Sequence, residues 1–380
     1  MITSQDELGE WLRLSLTEGV GNDAARRLLA AFGLPYNLFQ HNESALRQVV
    51  SARQARALLQ EPEGWRALWD ETWAWLQAPG LHGVQRAVVT WGDSDYPRAL
   101  LEMADPPMIL YALGQIAGLG PLDASTCIAM VGSRNPTPQG AHNAQAFAQA
   151  LSAAGLTVVS GLALGIDGAA HEGALNGAAP GAFATVAVVG TGLDRVYPKH
   201  HLALAHRIAQ QGLILSEYPL GTPPLNANFP KRNRIIAGLS QATLVVEAAL
   251  QSGSLITAKQ ALEQGKEVLA IPGSIHSAQA KGCHALIKQG AKLVESAQDV
   301  LEELRLPDPF KVASLGIADE AMPQDEGLLV HLGFDPVHLD ALQARCGLDT
   351  ATLQAQLLNL ELDGDVARLP GGLFQRIARG

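Results

Sequence analysis

Lys231, Arg232 and Arg234 place three cations within four positions, with Asn233 among them and Phe229 and Pro230 just before. Cations neutralise phosphates, and a base can stack on an aromatic ring for ~1–3 kcal/mol. The stretch Asn226-Ala-Asn-Phe-Pro-Lys-Arg-Asn-Arg-Ile-Ile-Ala-Gly-Leu-Ser240 therefore has the chemistry of a single-strand nucleic-acid site. It also fits a solvated helix start after a loop.

Other small polar turns offer compatible chemistry. Gly132-Ser133-Arg134 combines close backbone approach, a hydroxyl donor and a guanidinium that can fork onto a phosphate. Gly140 follows near a helix start, where free amides favour an anion. A second turn runs from Ser160 and Gly161 to Asp167, and a third holds Gly190-Thr-Gly192 with Tyr197, Pro198 and Lys199 downstream. The turn Ser252-Gly-Ser254-Leu-Ile-Thr257 is rich in hydroxyls and again opens a helix. No Gly-x4-Gly-Lys-Ser/Thr occurs, and no Gly-x-Gly-x-x-Gly follows the first core strand, so a nucleoside triphosphate or dinucleotide is poorly supported. Asp167 and His171, four apart on a helix, could form an acid/base dyad or could simply be a turn carboxylate and a core histidine. His200, His201 and His206 lack acidic or cysteine companions, so no metal and no cofactor are expected.

These turns need a scaffold. From about residue 125 apolar strands alternate with Gly-rich turns and helices: 128–131, 156–160, 184–189, 213–216, 243–247 and 267–271. That alternation predicts a Rossmann-like, doubly wound parallel sheet of the α/β class. Ligands then bind beyond the carboxyl ends of the strands, where the turns lie. Residues 1–105 read as an N-terminal helical domain, 106–305 as the Rossmann-like domain, 306–324 as a linker and 325–380 as a winged helix–turn–helix. Within the first, Glu18-Gly-Val-Gly-Asn-Asp23 suits either a phosphate-holding hairpin between helices or an ordinary connection. Trp65, Trp69 and Trp73 form a packing stripe on one helix face.

Charge narrows the partners. The 380 residues carry a net −10, which argues against a protein coated in nucleic acid. Residues 121–305 carry 13 cations against 12 acids, whereas residues 1–120 carry 9 against 14, so any polyanion site is a focused patch in the middle. Hydrophobic residues make up 47% of the chain, without a run long enough to cross a membrane and without a signal-peptide pattern. Cys127, Cys283 and Cys346 are odd in number and far apart, as free thiols in a reducing, cytoplasmic setting would be.

Val131-Gly-Ser-Arg134, Ser160-Gly-x-Ala-x-Gly-Ile-Asp167 with Ala170-His171, Ser216-Glu-Tyr-Pro219, Phe229-Pro-Lys-Arg-Asn-Arg-Ile-Ile-Ala-Gly-Leu-Ser240, Val246-Glu-Ala248, Ser252-Gly-Ser-Leu-Ile-Thr-Ala258 and Ile271-Pro-Gly273 occur in that order. Together they resemble the DNA-processing protein A (DprA, or Smf) family from roughly residue 130 to 295. The flanks resemble its sterile-alpha-motif-like (SAM-like) and winged-helix domains, and Gly282-Cys-His284 departs from the Asn common at its third position. The resemblance implies a non-enzymatic protein of natural transformation. Such a protein binds and protects incoming single-stranded DNA, helps load the RecA recombinase and dimerises through the Rossmann-like domain. It puts Ser133 and Arg134 on a phosphate, Lys231, Arg232 and Arg234 in a basic pocket and Phe229 against a base; the turn residues Gly132, Gly161, Lys199, Asn233, Ser252 and Ser254 complete the expected DNA site. The winged helix, acidic and without a cation in its third helix, is expected to bind a partner protein. The competing class is a nucleoside-monophosphate phosphoribohydrolase of related fold. Its loop glutamates have no counterpart after Thr257, where Ala-Lys-Gln follows.

Overall fold

Six apolar runs become the parallel strands of one sheet in the computed structural model, which describes residues 1–80, 83–306 and 327–377. They are β3 (Cys127–Val131), β4 (Thr157–Ser160), β5 (Thr185–Val188), β6 (Gly212–Ser216), β7 (Ala242–Val245) and β8 (Glu267–Ala270). A short β9 (Lys292–Leu293) closes one edge. The parallel order is β6-β5-β4-β3-β7-β8-β9, so the winding reverses between β3 and β7. Alternate residues face opposite cores, as a pleated strand requires. Ile128 and Met130 join one core with the helices Pro138–Ala153 and Ile166–Gly177, whereas Ala129 and Val131 join another with the helices Asn228–Gly238 and Ser254–Glu263.

The sheet is larger than the sequence pattern implies. β1 (Gln85–Thr90) pairs antiparallel with β2 (Ile109–Gly114), and β2 pairs antiparallel with β6. The division expected at residue 105 therefore falls between two strands of one sheet and is corrected: the helical part ends with the helix Trp65–Gln77. Pro97, Pro106 and Pro107 lie in the connection between β1 and β2, and β2 is buried, with Leu110 and Tyr111 0% and 1% exposed.

Before the hairpin, helices Gln5–Leu16, Asn22–Phe32 and Trp65–Gln77 pack their apolar faces onto the β1, β2 and β6 end of the sheet. The tryptophan stripe is structural. Trp65 and Trp69 stack at 5.2 Å, and their indole N–H groups donate to the carbonyls of Gly9 and Gln5 at 2.7 and 2.6 Å.

At the other end, helices Leu328–Leu332, Leu339–Cys346 and Thr350–Leu362 enclose their own core around Leu332, Leu342 and Leu353. A three-stranded sheet of β10 (Val337–His338), β11 (Val366–Leu369) and β12 (Leu373–Arg376) completes the winged helix. Of the expected linker at 306–324, all but Leu306 lies outside the described residues.

Candidate nucleic-acid interface

An open cleft of about 530 Å³ lies beyond the carboxyl ends of β3 and β7. This is where strand order reverses, and the diverging loops of an open α/β sheet leave room for a ligand. Gly132, Ser133 and Arg134 reach it from β3, Asp167 from the turn after β4, Phe229 and Arg232 from the helix after β6, and Ser252 and Ser254 from the turn after β7.

The β3 turn is anchored from below. The Ser133 N–H donates to the Glu247 carbonyl at 2.7 Å, and Ile166 N–H donates to the Ser133 carbonyl at 3.1 Å. The buried Glu247 carboxylate accepts from the N–H and hydroxyl of Thr137, both at 2.8 Å. Thr137 in turn caps the helix Pro138–Ala153 through Gly140 N–H at 3.0 Å. Burial raises the Glu247 carboxyl above its ordinary value, and the two Thr137 bonds oppose that rise. Gly165, at φ +81, passes so close that a Cβ would lie 2.3 Å from the Ser133 carbonyl oxygen. The result is a fixed loop with Arg134 exposed at its tip.

The floor is a buried cation. Arg232 is 4% exposed, and its Nη1 donates to the carbonyls of Gly161, at 2.5 Å, and of Val188. Its Nε donates to Asn233 Oδ1 at 2.9 Å. A Cβ at position 161 would sit 2.3 Å from this guanidinium, which is why the turn needs glycine there. Burial lowers the Arg232 pKa to about 10, and nearby Asp167 offsets part of the fall. Asp167 accepts from the N–H groups of Gly161 and Ala163 at 3.1 and 3.4 Å. Burial raises its carboxyl, with Arg232 the largest opposing influence.

His171 does not pair with Asp167. Thr185 donates its hydroxyl hydrogen to the Val158 carbonyl at 2.6 Å, so its oxygen accepts from His171 Nδ1 at 2.8 Å. That fixes the tautomer with Nε2 unprotonated, and burial pulls the His171 pKa down to about 3. Asp167 thus braces the turn after β4, and His171 is packed against the sheet.

The wall carries an exposed cation, an aromatic ring and two hydroxyls. The Arg134 guanidinium carbon lies 5.5 Å from the centre of the half-buried Phe229 ring. Among the described residues Arg134 makes no ion pair, so its charge faces solvent. Opposite, Ser252 and Ser254 share a 2.7 Å hydroxyl contact at the first turn of the helix Ser254–Glu263, whose dipole favours an anion.

The three-cation cluster disperses. Successive helix residues point about 100° apart, so neighbours in sequence face different ways. Arg232 turns into the floor. Arg234 is 10% exposed at its side chain and pairs with Glu217 at 2.5 Å and Asp105 at 3.1 Å, away from the cleft. Lys231 is half exposed, 3.8 Å from Glu217, and lines a separate groove beside the N-terminal helices. The expectation that all three line one basic pocket is corrected accordingly. Lys199 is exposed on a short 3-10 turn and does not line the cleft. Two residues named in the sequence only as parts of motifs take a place beside the site. Glu247 anchors the Arg134 loop, and its signal was an acidic residue ending an apolar strand. Tyr197 contacts Phe229, and its signal was an aromatic in a glycine-rich turn.

The arrangement matches known proteins. Residues 87–305 fit the family model for DNA recombination-mediator protein A, and residues 317–372 fit the DprA winged helix domain. Protein Smf of Escherichia coli is 39% identical over 97% of this chain and 96% of its own length. DNA processing protein DprA of Streptococcus pneumoniae is 47% identical over 56% of this chain and 72% of that protein. A solved structure of the S. pneumoniae protein superposes with a TM-score of 0.64 at 37% identity, covering 80% of this chain and 99% of that one. A Helicobacter pylori DNA processing protein A, solved for its single-stranded DNA binding mode, gives 0.52 at 31% identity over 58% of this chain and 96% of that one. With these matches, the chain is a member of the DNA recombination-mediator protein A family.

Proposed function

We propose that this DNA-processing protein binds single-stranded DNA in the cleft at the β3–β7 reversal, as a non-catalytic mediator. In this reading it protects an incoming strand in natural transformation and helps load the RecA recombinase, acting as a dimer through the Rossmann-like domain. The observation that carries the reading is Arg134, charged and solvent-facing, held over Phe229 above the buried Arg232. One cation reaches a phosphate, the ring takes a base, and the floor guanidinium adds positive potential where water is scarce. A cleft of this kind admits a flexible strand whose bases are free to stack. A duplex keeps its bases paired and away from the ring.

The non-catalytic part rests on the acids nearest the cleft. Asp167 is held by two backbone amides, Glu247 by Thr137, and His171 by Thr185. His171 and Thr185 are fully buried, and the Asp167 and Glu247 carboxylates are already taken up by these donors, which supports a binding role over an acid/base one.

Binding of a labelled oligothymidylate and of a duplex, titrated over several salt concentrations, tests the reading. It should be run beside product release from nucleoside monophosphates and a RecA-loading assay on strands coated with single-strand-binding protein. Tight, salt-dependent single-strand binding, weaker duplex binding and no nucleobase release are expected. Release of a free base that disappears in Asp167→Asn would replace the mediator reading with the phosphoribohydrolase one.

A further inference from the structure

Phe229 has a second aromatic neighbour, which lies outside the cleft. The Tyr197 ring centre is 5.6 Å from that of Phe229, with 32° between the planes. Tyr197 is 45% exposed and does not line the cleft, so the ring pair runs from the cleft edge outward. Arg134 flanks Phe229 at the inner end, and Lys199 and His200 follow Tyr197 on the exposed 3-10 turn. Arg134, Phe229 and Tyr197 thus form a row of contacts, and Lys199 is two residues beyond Tyr197 in the chain. No hydrogen bond from the Tyr197 hydroxyl occurs among the described residues.

The turn that presents Tyr197 is held at several points. Asn228 Nδ2 donates to the Gly190 carbonyl at 3.0 Å, and Gly190 leaves only 3.1 Å between an added Cβ and the Phe229 ring. Asp194 Oδ1 accepts from Gly221 N–H at 2.8 Å. His201 Nδ1 bonds the Leu162 carbonyl at 3.0 Å, and His201 N–H donates to the Pro198 carbonyl at 3.0 Å. A ring fixed by its own fold loses little freedom when a base lands on it. Covering Phe229 would need only an aliphatic side chain. An aromatic face left nearly half open, between cations, has the properties of a stacking platform.

Resting on the single-strand reading above, we propose that Tyr197 is a second base platform. The strand leaves the cleft over it, and the next phosphate meets Lys199. The sequential use of two rings extends the footprint beyond the cleft and gives the strand a defined exit.

The test is photocrosslinking of an oligothymidylate carrying 5-iodouracil to the full chain, with the joined residues read by mass spectrometry. Affinities are measured for Tyr197→Leu, which keeps an apolar cover, and for Tyr197→Phe, which keeps the ring. Crosslinks at both Phe229 and Tyr197 are expected. Tyr197→Leu should bind about 5- to 20-fold more weakly with an unchanged salt slope, and Tyr197→Phe should bind within about twofold of wild type. Lys199→Ala should lower the magnitude of the slope by about 0.7. Crosslinks at Phe229 alone, with Tyr197→Leu binding as wild type, would overturn the platform and leave the cleft reading standing. A wild-type protein that fails to bind the oligonucleotide would overturn both. If Tyr197→Leu does not fold, the wild-type crosslinks alone decide.

Discussion

Arg234 lies between Glu217 and Asp105 with both its own side chain and that of Glu217 nearly dry. Removing the guanidinium leaves the Glu217 carboxylate buried without its main counter-charge, a change that costs about 3–5 kcal/mol. Arg234→Ala should therefore lower the unfolding midpoint in urea markedly. Lys231→Ala should change it by less than about 1 kcal/mol, because Lys231 is half exposed and 3.8 Å from the carboxylate. A charge-reversal of all three cations would report folding as much as binding. If Arg234→Ala unfolds at the wild-type urea concentration, the ion pair is not structural. At this scale the sequence showed the residue types but not their directions. That Phe229 and Arg134 line the cleft was legible, because Arg134 is in the turn directly after β3 and Phe229 in the first turn of the helix that follows β6. Arg232 and Arg234 were not, because their roles depend on helix azimuth and on acids more than 60 positions away or, for Glu217, in another loop.

Elements fix the site by their ends. The six core strands were readable because a parallel sheet buried on both faces makes short, nearly continuous apolar runs. β1 and β2 were not, since their hairpin is interrupted by prolines and pairs antiparallel at the far edge. The helix Ile166–Gly177 presses His171 against β5, through Thr185, with His201 and Arg232 the charged or titratable groups acting on it. Its folded pKa of about 3 is far below the ordinary value of 6.5, so the unfolded chain takes up a proton first as pH falls. Stability from this group is full above about pH 6.5 and declines as pH drops toward about 3, by up to ~1.4 kcal/mol per pH unit. Asp167 and Glu247 act in the opposite sense, because burial raises their carboxyls. The difference between wild type and His171→Gln isolates the histidine. Urea midpoints measured from about pH 7 to pH 5 should fall more steeply in the wild type. Parallel pH profiles would mean that His171 takes up its proton as readily in the fold as in the unfolded chain.

Across the whole molecule, charge and position separate the winged helix from the cleft. No described residue of the winged helix lines the cleft. Residues 325–380 hold 4 cations against 8 acids, and the helix Thr350–Leu362 contains no Lys or Arg. Phosphate contact dominates DNA affinity, so this module is poorly suited to a duplex despite its fold. Truncation after about residue 310 should leave single-strand affinity within a few-fold, and the isolated winged helix should not retain duplex DNA at physiological salt in a filter-binding assay. Micromolar duplex binding by that fragment would show that local arginines outweigh the net charge. The fold and the place of the cleft, beyond the carboxyl ends of the strands, were legible from the apolar pattern and the turns. The site's boundary was not, because it is set by which loops meet where the sheet reverses. The account depends most on Arg134, and one measurement addresses it: the salt dependence of oligothymidylate binding by Arg134→Ala beside the wild type. The expected result is clear loss of affinity, a log–log slope smaller in magnitude by about 0.7, and an unchanged unfolding midpoint. Unchanged affinity and slope, with the loss appearing instead in Lys231→Ala, would place the DNA in the groove beside the N-terminal helices and contradict the cleft.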